Sequence, residues 1–215
     1  MATILTPPDA FGIVERGVYR SSTLHPTNFS YIRTLGLRSV VVLTPDVPSK
    51  GVQAFYEDCG TRLIHLGLQT WRPNLGWRPV SEELIKEGLE LVLNVNNHPV
   101  MVMCTSGIHD TGTFIGCLRK LQGWNFNSII VEYRSYAGSK ARYVNEQFIE
   151  LFDMDLVTLP RDLPSWFLYQ QKLLQEEEEE FERKKAGRQT PISRSPILAQ
   201  ALISSPTSNT IETNA

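Results

Sequence analysis

The stretch Val100-Met101-Val102-Met103-Cys104-Thr105-Ser106-Gly107-Ile108-His109-Asp110-Thr111-Gly112 constrains the fold of this chain more than any other. The residues from His98 to Met103 form a short apolar run, the pattern of a buried strand. Beyond the loop, Phe114, Ile115, Cys117, Leu118 and Leu121 recur at helical spacing. Between the two lies a turn of small residues that begins with a cysteine and has a glycine near its centre. A strand, such a turn and a helix opening at Thr111-Gly112 aim successive backbone N–H groups and the positive helix end at one spot. The spacing therefore predicts an anion cradle with Cys104 at its base.

Other segments extend the pattern. They are Gly17-Val18-Tyr19-Arg20-Ser21-Ser22, Asn28-Phe29-Ser30-Tyr31, Ser39 to Pro45, Leu89 to Asn94, Ile115 to Gln122, Glu132-Tyr133-Arg134 and Lys140-Ala141-Arg142. Taken in this order with the Cys104 loop, they resemble the plant and fungal atypical dual-specificity phosphatases. That group includes the fungal oxidant-induced cell-cycle-arrest, tyrosine phosphatase-like proteins and an inositol pyrophosphate phosphatase. The resemblance spans residues 10 to 155. It implies an α/β cysteine-phosphatase fold, with a mostly parallel central sheet flanked by helices. It also implies that Cys104 stands at the nucleophile position, where a thiolate attacks phosphorus and a phosphocysteine forms. Thr105, Ser106, Gly107, Ile108 and His109 would make the phosphate-binding loop, with His109 bracing it by hydrogen bonding. Thr111 would supply the hydroxyl that helps the thiolate leave. The chemistry requires no metal and no cofactor.

The departures fall on the catalytic positions. The signature of the resembled family has an arginine six residues after the cysteine, clamping phosphate bidentately; here that position is Asp110. Two like charges about 4 Å apart cost roughly 4 kcal/mol at an effective dielectric near 20. Losing a transition-state donor costs a further ~2.7–4 kcal/mol on the oxyanion-hole precedent. Asp110 escapes repulsion by protonating, or by pairing with Arg134, Lys140 or Arg142, but neither restores the clamp. Met103 stands where the family commonly has histidine. The family's general-acid loop would lie between Gly60 and Val80, where this chain has no Asp or Glu. Arg72 and Arg78, beside Trp71 and Trp77, either form a basic lid over the pocket or pack as an ordinary loop.

At 215 residues and 41% hydrophobic, the chain suits one core plus a tail. A net charge of −2 offers no attraction for nucleic acid or an anionic membrane. Three cysteines without a paired framework point to a reducing compartment. No basic start with an apolar run marks a signal peptide, so a cytoplasmic protein is expected. We divide the chain into a flexible arm at 1–10, a phosphatase-like domain at 11–160, a charged helix at 161–185 and a disordered tail at 186–215. Strands are predicted over Arg38–Leu43 and Arg62–Leu68, and helices over Val52–Asp58, Ser81–Asn94, Asn127–Tyr136 and Val144–Phe152. Ser81 and Asn127 are the expected N-caps.

The leading expectation is thus a phosphatase-fold protein with impaired hydrolysis, acting by binding a phosphorylated ligand or a related phosphatase-family subunit. The alternative is a slow cysteine-dependent phosphatase on phosphotyrosine or an inositol pyrophosphate, with a recruited acid.

Overall fold

The computed structural model describes residues 5–69 and 78–188. Within them, β1 (Gly12–Glu15), β2 (Val18–Ser22), β3 (Ser39–Val42), β4 (Arg62–His65) and β5 (Val100–Cys104) form one sheet in the order β1-β2-β5-β3-β4. Strand β5 lies parallel to both β2 and β3, and β3 is parallel to β4. The mostly parallel sheet expected from sequence is present. Edge strand β1 alone runs antiparallel, in a hairpin with β2 that the periodicity did not reveal. Strands of four or five residues carry too few positions for alternation to register.

The helices are α1 (Phe29–Thr34), α2 (Lys50–Asp58), the single turn α3 (Leu66–Gln69), α4 (Glu82–Leu93), α5 (His109–Leu121), α6 (Phe126–Ala137), α7 (Tyr143–Leu151) and α8 (Ser165–Arg188). All five residues of β5 are buried, as a central strand covered on both faces must be. Alternation along it assigns the faces. Val100, Val102 and Cys104 join the larger core with Leu89 of α4, Phe114 of α5, Ile129 of α6 and Phe148 of α7. Met101 and Met103 point the other way, into a smaller core with Ile32 of α1 and Phe55 of α2. Cys104 therefore faces the side on which α5 packs.

Local chemistry sets the helix ends. The Ser81 hydroxyl accepts from the Leu84 N–H at 3.1 Å, and Glu82 and Glu83 occupy the first turn, where negative charge is favoured. Helix α6 is capped by Asn125 instead of Asn127: the Asn125 side-chain oxygen accepts from the Asn127 N–H at 2.9 Å. Two Asn residues two apart offered the same signal, and only the backbone path distinguishes cap from recipient.

Two expected boundaries move. Residues 6–9, assigned to the arm, are held on the domain: the Asn28 side-chain amide donates to the Thr6 and Pro7 carbonyls, and the Ser22 N–H donates to the Asp9 carbonyl at 2.9 Å. At the other end, Phe167 of α8 is buried in the larger core, so the domain continues past residue 160. The compact unit runs to Leu174. From Gln175 to Arg188 the chain is helical, with Lys184–Glu180 and Lys185–Glu182 ion pairs at 2.7 and 3.6 Å along its own surface. The side chains from Glu176 to Lys185 are exposed, which agrees with a solvated charged face. The tail expected to be disordered lies, from residue 189 on, outside the described residues. No described helix is long and apolar enough to cross a membrane.

Candidate active site

The end of β5 places Cys104 at the base of the loop, 1% exposed. The turn that follows is tight. The Gly107 N–H donates to the Cys104 carbonyl at 3.2 Å, and the Ile108 N–H donates to the Ser106 hydroxyl at 3.2 Å. Gly107 has φ 68, and a Cβ there would lie 2.6 Å from the Ser22 nitrogen. Left-handed backbone and close approach to β2 both require glycine. These bonds correct the predicted cradle, because the Gly107 and Ile108 amides are committed inside the loop. What remains for an anion includes the start of α5, whose first-turn amides have no intrahelical acceptor.

That helix starts at His109, not at Thr111-Gly112. Asp110 therefore lies within the first turn, where the macrodipole favours an acid. Burial raises its pKa above the ordinary carboxylate range, opposed by the charge of Arg142. No described cation lies within ion-pair distance of it. Of the three expected partners, Arg134 is engaged elsewhere: its Nε and Nη2 donate to the two carboxylate oxygens of Glu146 at 2.7 Å each, tying α6 to α7. Lys140 and Arg142 are exposed near the loop, and both, after burial itself, lower the pKa of His109.

His109 Nδ1 is buried and has no hydrogen-bond partner, so the expected bracing role is not made through that atom. The Thr111 hydroxyl is fully buried and likewise has none, the Cys104 sulfur included. Met103, at the histidine position, faces the smaller core, where the Tyr56 hydroxyl contacts its sulfur at 3.5 Å. Arg78 is exposed and pairs with Glu82 at 3.5 Å, one helical turn away. Arg72, Trp71 and Trp77 lie outside the described residues.

Two residues emerge that chemistry-based reading of the sequence did not single out. Arg20 of β2 is 1% exposed and sits beneath the loop. Its Nη2 donates to the Gly107 carbonyl at 2.8 Å, and its guanidinium lies 3.7 Å from the centre of the Tyr136 ring. Its Nε and Nη1 are buried without partners. Burial lowers its pKa, opposed by Tyr136, Glu132 and Cys104. The second is Asp46, after β3, whose carboxylate accepts from the Thr105 hydroxyl at 3.4 Å. The signal for Arg20 was its place in the Tyr19-Arg20-Ser21 segment. Asp46 carried none, because it reaches the loop only through the β3–β5 pairing.

The site can thus hold a small anion against the α5 terminus, over a buried arginine, with a carboxyl group where a cation would be needed for tight grip. Comparison with known proteins fits this geometry. A family model described as "Tyrosine phosphatase family" matches residues 5–171. The chain is 48% identical over 160 residues to the Dictyostelium discoideum protein named "Probable tyrosine-protein phosphatase DG1060", covering 74% of this chain and 95% of that one. It is 35% identical over 151 residues to the inositol diphosphatase DSP4 of Arabidopsis thaliana, covering 70% and 75%. Among solved structures, the core catalytic domain of the PP-IP phosphatase SIW14 from S. cerevisiae, in complex with citrate, matches with a TM-score of 0.65 and 37% identity. The match covers 71% of this chain and 90% of that one.

Proposed function

This chain belongs to the tyrosine phosphatase family, and on that premise we propose that it acts by binding, with hydrolysis strongly impaired. The Cys104 loop receives a phosphorylated ligand, or the domain binds a related phosphatase-family subunit. The carrying observation is Asp110, an acid at the clamp position with no cation in ion-pair reach among the described residues. A phosphate oxygen there meets repulsion while Asp110 is ionised. Burial favours the neutral carboxyl, which can donate a hydrogen bond to phosphate without supplying a transition-state charge. The α5 first-turn amides, Arg20 below, and Lys140 and Arg142 at the rim supply the attraction. Three cysteines without a paired framework in the sequence fit the reducing, cytoplasmic setting proposed here.

The test is turnover by the purified protein on an aryl phosphate and on an inositol pyrophosphate, beside Cys104→Ser. We expect no Cys104-dependent phosphate release above background from the aryl ester. Clear release that disappears in Cys104→Ser would overturn the reading.

A second reading, slow hydrolysis of a phosphoanhydride, is supported by Asp46. It is a carboxylate hydrogen-bonded to the loop and free of the Gly60–Val80 segment, where an acid is lacking. A phosphoanhydride leaving group needs less protonation than an alkoxide, so one weakly placed acid can serve, and relatives named inositol diphosphatases make that substrate class the one to try. In this reading, turnover on the inositol pyrophosphate would fall in both Cys104→Ser and Asp46→Asn.

A further inference from the structure

The Cys104 loop lies at the C-terminal ends of the parallel strands. At their opposite ends is an open cavity of about 330 Å³, lined by Arg16 and Gly17 of the β1–β2 turn, Arg38 before β3, His98 before β5, and Pro164 and Trp166 at the start of α8. We propose that this cavity is a second, separate binding site, for a small phosphate-bearing molecule.

Among apolar walls that include Val95, Pro99 and Pro164, the charged groups that line it are of one sign. Arg16 and Arg38 carry only donors, and neither has an ion-pair partner among the described residues. Arg38 gives one nitrogen, Nη1, to the Asn96 carbonyl at 2.9 Å and keeps the rest of its fork. The Trp166 indole Nε1, also a donor only, is shielded from solvent and has no acceptor. Two arginine forks with donors to spare on one cavity are matched by an acceptor-rich anion. The nearby carboxylate is that of Asp162, and it is engaged: Asn96 Nδ2 donates to it at 3.0 Å. It does not line the cavity.

His98 adds selectivity. Its Nε2 lies 2.7 Å from the Val92 carbonyl, which can only accept, so Nε2 carries the proton. In that tautomer Nδ1 is left as an acceptor beside Gly17, where an added Cβ would lie 3.2 Å from it. Such an acceptor suits a P–OH or a hydroxyl next to the phosphate. The volume lies at the small end of the range typical of small-molecule pockets, which favours a free metabolite over a protein segment.

Trp166 lines the cavity, so its indole resonance reports on what enters it. Full-length ¹⁵N-labelled protein would be titrated with inorganic pyrophosphate at constant ionic strength, with the Trp166 indole resonance assigned through Trp166→Phe. We expect a saturable shift of that resonance, unchanged in Cys104→Ser. In Arg16→Gln/Arg38→Gln the dissociation constant should rise about tenfold or more, as for loss of charge-assisted pairs. No Trp166 shift at millimolar pyrophosphate would overturn the proposal. So would an equal shift with sodium chloride alone, or one unaffected by the arginine substitutions. A phosphopeptide that shifts the resonance more tightly than pyrophosphate would overturn the small-molecule assignment.

Discussion

Helix α5 carries an arginine and an aspartate near opposite ends, buried Arg119 and half-buried Asp110, and their surroundings differ. Arg119, in the last turn, is 4% exposed and fully engaged. It pairs with Glu15 at 2.6 Å and with both oxygens of Glu132 at 2.9 and 3.0 Å, and donates to the Val14 carbonyl at 3.0 Å. It also lies 4.3 Å from the centre of the Trp124 ring. Although burial opposes it, hydrogen bonds and charge from Glu132 and Glu15 raise its pKa. Asp110, in the first turn, has no ion pair, and burial dominates its titration. Both signs agree with the helix dipole, so the dipole does not distinguish them. Partners do. A buried charge with its hydrogen-bonding capacity met ties β1, α5 and α6 together; one without partners leaves its energy available to a ligand or to a proton.

The largest effect expected from this contrast is in stability. Arg119→Met leaves Glu15 and Glu132 facing each other without their cation, and should cost about 3–5 kcal/mol, the loss typical of a broken buried pair. Chemical denaturation measures it. A loss under 1 kcal/mol would erase the distinction between the two ends of α5.

Next in size is the complementary gain. Asp110→Arg replaces repulsion with a bidentate clamp, so calorimetry should show phosphate, sulfate or vanadate binding tighter by about 2–3 kcal/mol. Undetectable binding in a well-folded variant would mean that the committed Gly107 and Ile108 amides leave no cradle.

Arg20 tests whether the loop's support resembles Arg119. Because two of its nitrogens already lack partners, Arg20→Met should cost only about 1 kcal/mol of stability, near one net hydrogen bond, while weakening anion binding in the Asp110→Arg background. A stability loss as large as that of Arg119→Met would make Arg20 purely architectural.

The smallest effect is in pH dependence. Below about pH 3.9, the ordinary Asp value, residue 110 is protonated in both states and contributes nothing. As pH rises, the unfolded chain ionises first while the folded state holds its proton, so stability falls until the raised folded value is passed. Asp110→Asn should lack that fall, and the gap between variant and wild type should open with rising pH. Parallel stability curves for the two proteins would show that Asp110 finds compensation in the folded state.

The sequence determined the strand–loop–helix unit, the Ser81 cap, the position of Cys104 and the acid at residue 110, because periodicity, capping and loop chemistry act over a few residues. It also determined the parallel sheet, since strands alternating with helices have few ways to pack. Only the tertiary structure decided which charges meet. Arg20 reaches the Gly107 carbonyl across 87 residues and Arg119 reaches Glu15 across 104, through strand order and register that no local pattern encodes. Arg134 read as a candidate for the loop until its partner proved to be Glu146, and Asp46 read as nothing until β3 lay beside β5. Local sequence fixes which groups are present; a side chain's electrostatic role depends on neighbours that the fold brings in from elsewhere.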